Sequence, residues 1–331
     1  MYIIKSIVSI KKQAKQIFRN QKTIIPIAFL AMFCTLIVVE GTHAQQQGDP
    51  NFKPAVEEPA FSKGEGPLVL VDEAHHNFHT VDGRYRPFAR LLRRDGYKVK
   101  ALESSITLDA LKSVDILVIS NALAKCNVDN WKLPTPSAFT DQEIQILQTW
   151  VQKGGSLLLI ADHMPFPGAV EDLALSFGII MGNGFAFTAD SSGIMQFRKT
   201  NGLLRQHSIT EGRNSSEIVD SVTTFTGQAF RIQSDVAAEP LMVMGKNTIL
   251  LLPTEAWEFS KQTPRIRATG MLQAATLQVG EGRIAVFGEA AMFTAQLAGS
   301  QQRPMGMNHP KASQNAQFLL NVIHWLSGLL S

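Results

Sequence analysis

The sequence predicts an α/β fold, an open and mainly parallel sheet with helices on both faces and mixed or antiparallel strands added in the C-terminal half. Three observations carry it. Aliphatic runs recur at Leu68-Val69-Leu70-Val71, Asp115-Ile116-Leu117-Val118-Ile119 and Ser156-Leu157-Leu158-Leu159-Ile160, the texture of strands buried on both faces. Helical patterns lie between them, and strands alternating with helices imply right-handed crossovers and a parallel sheet. A closing apolar helix, with Phe318, Leu319, Val322, Ile323, Trp325 and Leu326, needs a sheet face to cover it.

The N-terminus reads as an export leader. Lys5, Lys11, Lys12, Lys15, Arg19 and Lys22 precede a run without charge at 23–39, and Thr42-His43-Ala44 offers a small-x-small cleavage pattern. Residues 1–44 are therefore expected to be a signal peptide or an N-terminal anchor. Either places the remainder outside the cytoplasm, periplasmic or secreted, with membrane contact only through an uncleaved leader. Of the 31 Lys and Arg residues six lie in this leader, and of the 28 Asp and Glu residues only Glu40 does. The rest of the chain is thus near −2, with no basic block interleaved with aromatics, and nucleic acid is not an expected partner. Cys126 is the single cysteine outside the leader, which excludes a disulfide scaffold and cysteine-built metal sites.

Residues 45–66 are polar with three prolines and read as an extended linker. Residues 67–331 read as one α/β domain. Its first strand ends in Asp72-Glu73. Tyr85 to Arg94 reads as a helix closed by Asp95-Gly96, with Val99 in the next strand, and its run of arginines reads as a solvated face. Thr140-Asp141-Gln142-Glu143 is a capping box, followed by Ile144, Leu147, Trp150 and Val151 at helical spacing and stopped by Gly154-Gly155. Beyond residue 180, strand-like segments at Val219–Phe225, Leu241–Val243, Ile249–Leu252, Met271–Leu277 and Arg283–Phe287 are expected to extend the sheet.

Ligands of open α/β sheets bind outside the carboxyl ends of the strands. The first strand runs into Asp72, His75, His76 and His79, the strand at Ser156 into Asp162 and His163, and the late strand into Glu289. The candidate pocket is therefore Asp72, His75, His76, Asp162, His163 and Glu289, residue types that serve as general acids and bases and as zinc ligands. No HExxH-like spacing fixes a metal shell, so metal use stays open and no cofactor is assigned. GxGxxG, GxxxxGK[ST] and GxSxG are all absent, which removes the signals for dinucleotide, P-loop and serine-hydrolase chemistry. His207 and His324 read as structural, Arg84 as a surface residue, and Trp257 with Phe259 as core. His309 is placed only loosely near the rim.

Several segments together resemble a known group. Val69 to Asn77, the helix, Gly-Gly, strand and Asp pattern from Thr140 to Asp162, His207-Ser208-Ile209-Thr210-Glu211-Gly212, and Asn315 to Leu326 resemble exported bacterial proteins of the class I glutamine amidotransferase-like superfamily. The His207 segment is also similar to ThuA-like proteins. The resemblance spans roughly residues 66–329 and implies a flavodoxin-like sheet. It also implies a cysteine nucleophile at a strand-to-helix turn, but the matching turn, Ala161-Asp162-His163-Met164, holds neither cysteine nor serine. The thiolate route to glutamine hydrolysis is therefore expected to be absent. A glutaminase assay should show no turnover, and activity lost on Cys126→Ser would contradict that expectation.

Two functions follow as expectations. The first is a noncatalytic module binding a small polar ligand, with carbohydrate among the candidates, at this rim. The second is a hydrolase using the same Asp/His/Glu cluster, with or without a divalent metal. A protein partner in the cell envelope is a third and weaker expectation.

Overall fold

The computed structural model describes residues 46–188 and 193–331. The leader and its signal-peptide or anchor reading lie outside the described residues. The central sheet has seven strands: β1 Leu68–Asp72, β2 Lys98–Leu102, β3 Ile116–Ser120, β4 Ser156–Ile160, β5 Glu239–Val243, β6 Leu272–Val279 and β7 Gly282–Phe287. Their spatial order is β5-β6-β7-β4-β3-β1-β2. From β7 through β2 all pairings are parallel, whereas β6 is antiparallel to both its neighbours. Strands β2-β1-β3-β4-β7 thus reproduce the doubly wound, flavodoxin-like order, whose direction of winding switches between β1 and β3. The β6–β7 hairpin turns on two residues, with Gly280 at φ +60°, a backbone region glycine enters without penalty.

Alternation along the strands divides the core into two layers. Val69, Val71, Ile116, Val118, Leu158, Ile160 and Phe287 face one layer, with Phe88 and Leu92 of helix α1 (Arg86–Arg94) and with Phe318, Leu319 and Ile323 of the closing helix (Asn315–Leu326). Leu70, Leu117, Ile119, Leu157, Leu159, Ile284 and Val286 face the other layer, covered by Ile144, Leu147 and Val151 of helix α2 (Asp141–Gln152). The Thr140–Glu143 capping box forms as its sequence predicts.

Not every late strand joins this sheet. Ser221–Phe225 pairs with Ile194–Arg198, and Ile249–Leu251 lies between Phe185–Phe187 and Arg265–Arg267 in a separate three-stranded sheet. The expectation that all of them extend the central sheet is therefore corrected. Residues 46–66 run along α1: Gln47–Gly48 pairs with Leu297 and Gln296, and Arg90 and Arg94 donate to the carbonyls of Pro50 and Pro54.

Candidate functional site

The ends of β1, β3, β4 and β7 place polar side chains along one rim, in two groups. The first is at the switch point between β1 and β3. Buried Asp72 lies 2.9 Å from His75 Nδ1, and His75 Nε2 lies 3.1 Å from Glu143 Oε1. With a carboxylate at each ring nitrogen, the imidazole satisfies both partners only as the doubly protonated cation. Burial alone would lower the His75 pKa, but the hydrogen bond and charge of Asp72, then those of Glu143, raise it above the ordinary value. Burial likewise pushes Glu143 up. The Thr140 amide and hydroxyl, the charge of His75 and the Ile106 amide outweigh it, and the carboxyl ends below its usual range.

Asn77 completes the knot, its amide donating to Asp72 and to the Ser120 carbonyl while its oxygen accepts from the His75 amide. His75 thus has no ring nitrogen left to bind a ligand or move a proton. Its role in this geometry is to clamp the β1 end onto α2. His76, next in sequence, is exposed with φ +49° and stands outside this group.

The second group is deeper along the rim. Asp162 follows β4 and Glu289 follows β7, and both are buried. Asp162 accepts from the His163 and Ala290 amides, and its own amide donates to Asn121 Oδ1. Glu289 accepts from the amides of Ala291 and Met292 at 2.8 Å. Burial, then the charge of Asp162, raises the Glu289 pKa well above normal, and burial raises that of Asp162 as well. Two neighbouring buried carboxyls do not both ionise readily, so each disfavours the charged form of the other. Gly227, at φ +79°, packs against this turn, where a Cβ would lie 2.9 Å from that of Glu289.

Around the pair stand residues absent from the sequence-derived pocket. Tyr85 is fully buried, donates to the Ala290 carbonyl at 3.3 Å and sits beside Ser120. His79 is buried, its Nδ1 3.4 Å from Ser120 Oγ, and its buried Nε2 has no hydrogen-bond partner among the described residues. Burial, with the charges of Arg84 and His163 next, holds its pKa well below the ordinary value, so the ring is neutral at physiological pH. Arg84 is half-buried and not a free surface residue, its guanidinium 3.7 Å above the Phe78 ring. The signal for this group was the β1 terminus itself, since the turn after it carries His79, Arg84 and Tyr85 within thirteen residues of Asp72.

His163 joins the carboxyl pair to an aromatic wall. Its Nδ1 donates to the Met164 carbonyl at 2.7 Å, and its ring stacks on Phe185 at 4.6 Å and meets Trp257 edge-on at 4.7 Å. Trp131 and Phe259 extend the cluster. Trp257 is 50% exposed and Phe259 39%, which overturns their core reading. The loop that carries them is fastened to the Trp131 loop by Leu133 to Thr254 and Ala256 to Trp131 backbone hydrogen bonds. Trp257 also has φ +69°, a conformation bulky residues rarely occupy and one concentrated at functional sites.

The remaining histidines stand apart. His207 caps the short helix Ser208–Glu211 and reaches Thr276, and His324 bonds Asp95 at 2.7 Å inside the core, both structural as the sequence suggested. His309 rests against Phe225 and accepts from the Lys311 amide. Cys126 is exposed on the turn after β3, whereas the turn after β4 holds Asp162 and neither cysteine nor serine. Among the described residues, no three His, Cys, Asp or Glu side chains are grouped to hold a metal ion.

The fold and rim define a flavodoxin-like α/β protein with a buried carboxyl pair joined through His163 to an aromatic cluster that exposes Trp257 and Phe259. No family model and no curated protein matches the chain. Among solved structures, the mmIFT52 N-terminal domain superimposes with a TM-score of 0.54 at 15% identity, covering 78% of this chain and 97% of that one. A protein described as ThuA-like, from Bacteroides uniformis, gives 0.41 at 10% identity over 84% and 95% of the two chains. One described as a GMP synthase component, from Thermoplasma acidophilum, gives 0.36 at 11% over 80% and 95%. At these identities the likeness concerns the fold alone.

Proposed function

We propose that the chain is an exported, noncatalytic member of the class I glutamine amidotransferase-like superfamily, binding a small polar ligand with a carbohydrate-like face at the β-strand rim. The observation that carries this reading is the cluster of Trp131, His163, Phe185, Trp257 and Phe259, which exposes Trp257 and Phe259 and is joined through His163 to Asp162, the neighbour of Glu289. A sugar ring has an apolar face that an aromatic side chain covers and hydroxyls that a carboxyl pair accepts from or donates to, and ligand sites combine these two elements. The turn at Asp162 holds neither cysteine nor serine, so binding without thiolate turnover fits the residues present.

The test is a calorimetric and thermal-shift titration of the full chain against a panel of mono- and disaccharides. A ligand that raises the melting temperature should lose affinity in Trp257→Ala by roughly thirtyfold, the cost of an aromatic anchor of about 2 kcal/mol. The unliganded variant should melt close to the parent because the ring is half exposed. No sugar binding, or equal binding by the variant, overturns the proposal. Glycoside turnover lost in Asp162→Asn would instead favour the hydrolase, a reading supported by the carboxyl pair and the unpartnered His79 Nε2.

A further inference from the structure

A second site lies at the other end of the sheet. Helix α1 runs back against the strands, so Arg93 and Arg94 in its last turn sit near the start of β2, where the Gly66 amide donates to the Gly96 carbonyl. Residues 52–63 pass over this end of the helix and leave a cleft of about 520 Å³ lined by Phe52, Lys53, Pro54, Val56, Lys63, Arg90, Arg93 and Arg94. Five of these eight residues are cations and none is an acid. Glu58 is turned away, its carboxylate on Asn214 and its carbonyl on Arg213, and exposed Glu57, next to Val56, is not among the lining residues.

Part of this charge has a local use. Arg93 and Arg94 complement the negative end of the helix dipole, and Arg90 and Arg94 hold the Pro50 and Pro54 carbonyls. Those bonds fix the guanidinium groups along the cleft, but they bring no negative charge to it. Lys53 and Lys63 then add two more cations from the opposite wall. In a chain whose balance outside the leader is near −2, so concentrated a positive cleft attracts an anion.

We propose that this cleft binds a phosphate-bearing anion with an apolar portion. Guanidinium forks and lysine ammonium groups match phosphate oxygens, and half-buried Phe52, Pro54 and Val56 supply a surface for a short apolar segment. A phospholipid headgroup and a soluble phosphate ester share this chemistry. The site is independent of the rim.

The experiment titrates the full chain, in nonionic detergent, with inorganic phosphate, glycerol phosphate and dioctanoyl phosphatidylglycerol, reading heat and melting temperature. Binding of at least one probe is expected, weakened roughly tenfold in Lys53→Glu/Lys63→Glu and also weakened by salt. Lys53→Gln/Lys63→Gln, which removes charge without reversing it, serves if the first variant folds poorly and should weaken binding less. A preference for the lipid assigns the headgroup, and equal binding of the lipid and glycerol phosphate assigns the soluble ester; both support the site. Absence of binding by all three probes, or unchanged affinity in both variants, overturns it.

Discussion

Glu143→Ala is expected to cost about 3–5 kcal/mol of folding stability, the range for breaking one partner of a buried ion pair. The side chain serves four groups at once: the Thr140 amide and hydroxyl, the Ile106 amide and His75 Nε2. Its loss removes the reciprocal half of the α2 capping box and leaves an imidazolium half-paired at the end of β1. The pH dependence separates this account from simple loss of a cap. The folded His75 pKa is raised, so its contribution is fully present below its ordinary value of about 6.5 and is lost as pH rises through the folded value. The folded Glu143 pKa is depressed, so its contribution is present above about 4.3 and is lost as pH falls through the folded value. The gap between parent and variant should therefore be widest between about pH 4.3 and 6.5. Urea unfolding followed across pH 3–9 reads both quantities. A deficit below about 1 kcal/mol, the size of a lost cap alone, would sink the clasp.

The same residue shows where sequence reading stops. Glu143 was legible as the third helical residue of a capping box because that motif is local. Its bond to His75 crosses 68 positions, and no periodicity encodes a contact that arises only when α2 packs beside the β1 end. The aliphatic strands and their helices were legible for the opposite reason, since burial on both faces leaves a run without alternation. The positions of Asp72, Asp162 and Glu289 at strand ends were legible, because the first acid after each run marks the terminus. The rim's division into a structural clasp and a separate carboxyl pair was not legible, since Asp72 and Asp162 carry the same local signal. Trp257 was misread because an aromatic beside a loop looks alike in sequence whether it faces the core or the solvent. Only the pairing of the 131–133 and 254–256 loops decides its side.

Asp162→Asn should raise stability at alkaline pH while weakening ligand binding. Asparagine keeps an oxygen to accept from the His163 and Ala290 amides and removes the charge that, after burial, most raises the Glu289 pKa. Glu289 then ionises against its backbone amide donors without a neighbouring carboxylate. In the parent the folded pair binds a proton that the unfolded chain has released. Its stabilisation is therefore fully present below the ordinary carboxyl range of about 4 and declines as pH rises through the raised folded values, by at most about 1.4 kcal/mol per pH unit for one proton. The variant should flatten that decline and gain about 1–3 kcal/mol over the parent at pH 8, measured by denaturant unfolding. A residue whose removal stabilises the fold is being kept for something other than folding, and sites retain such costs where they meet a ligand. If Asp162→Asn instead destabilises the protein at every pH and leaves binding intact, the carboxyl pair is structural and the ligand must be held by the aromatic wall alone.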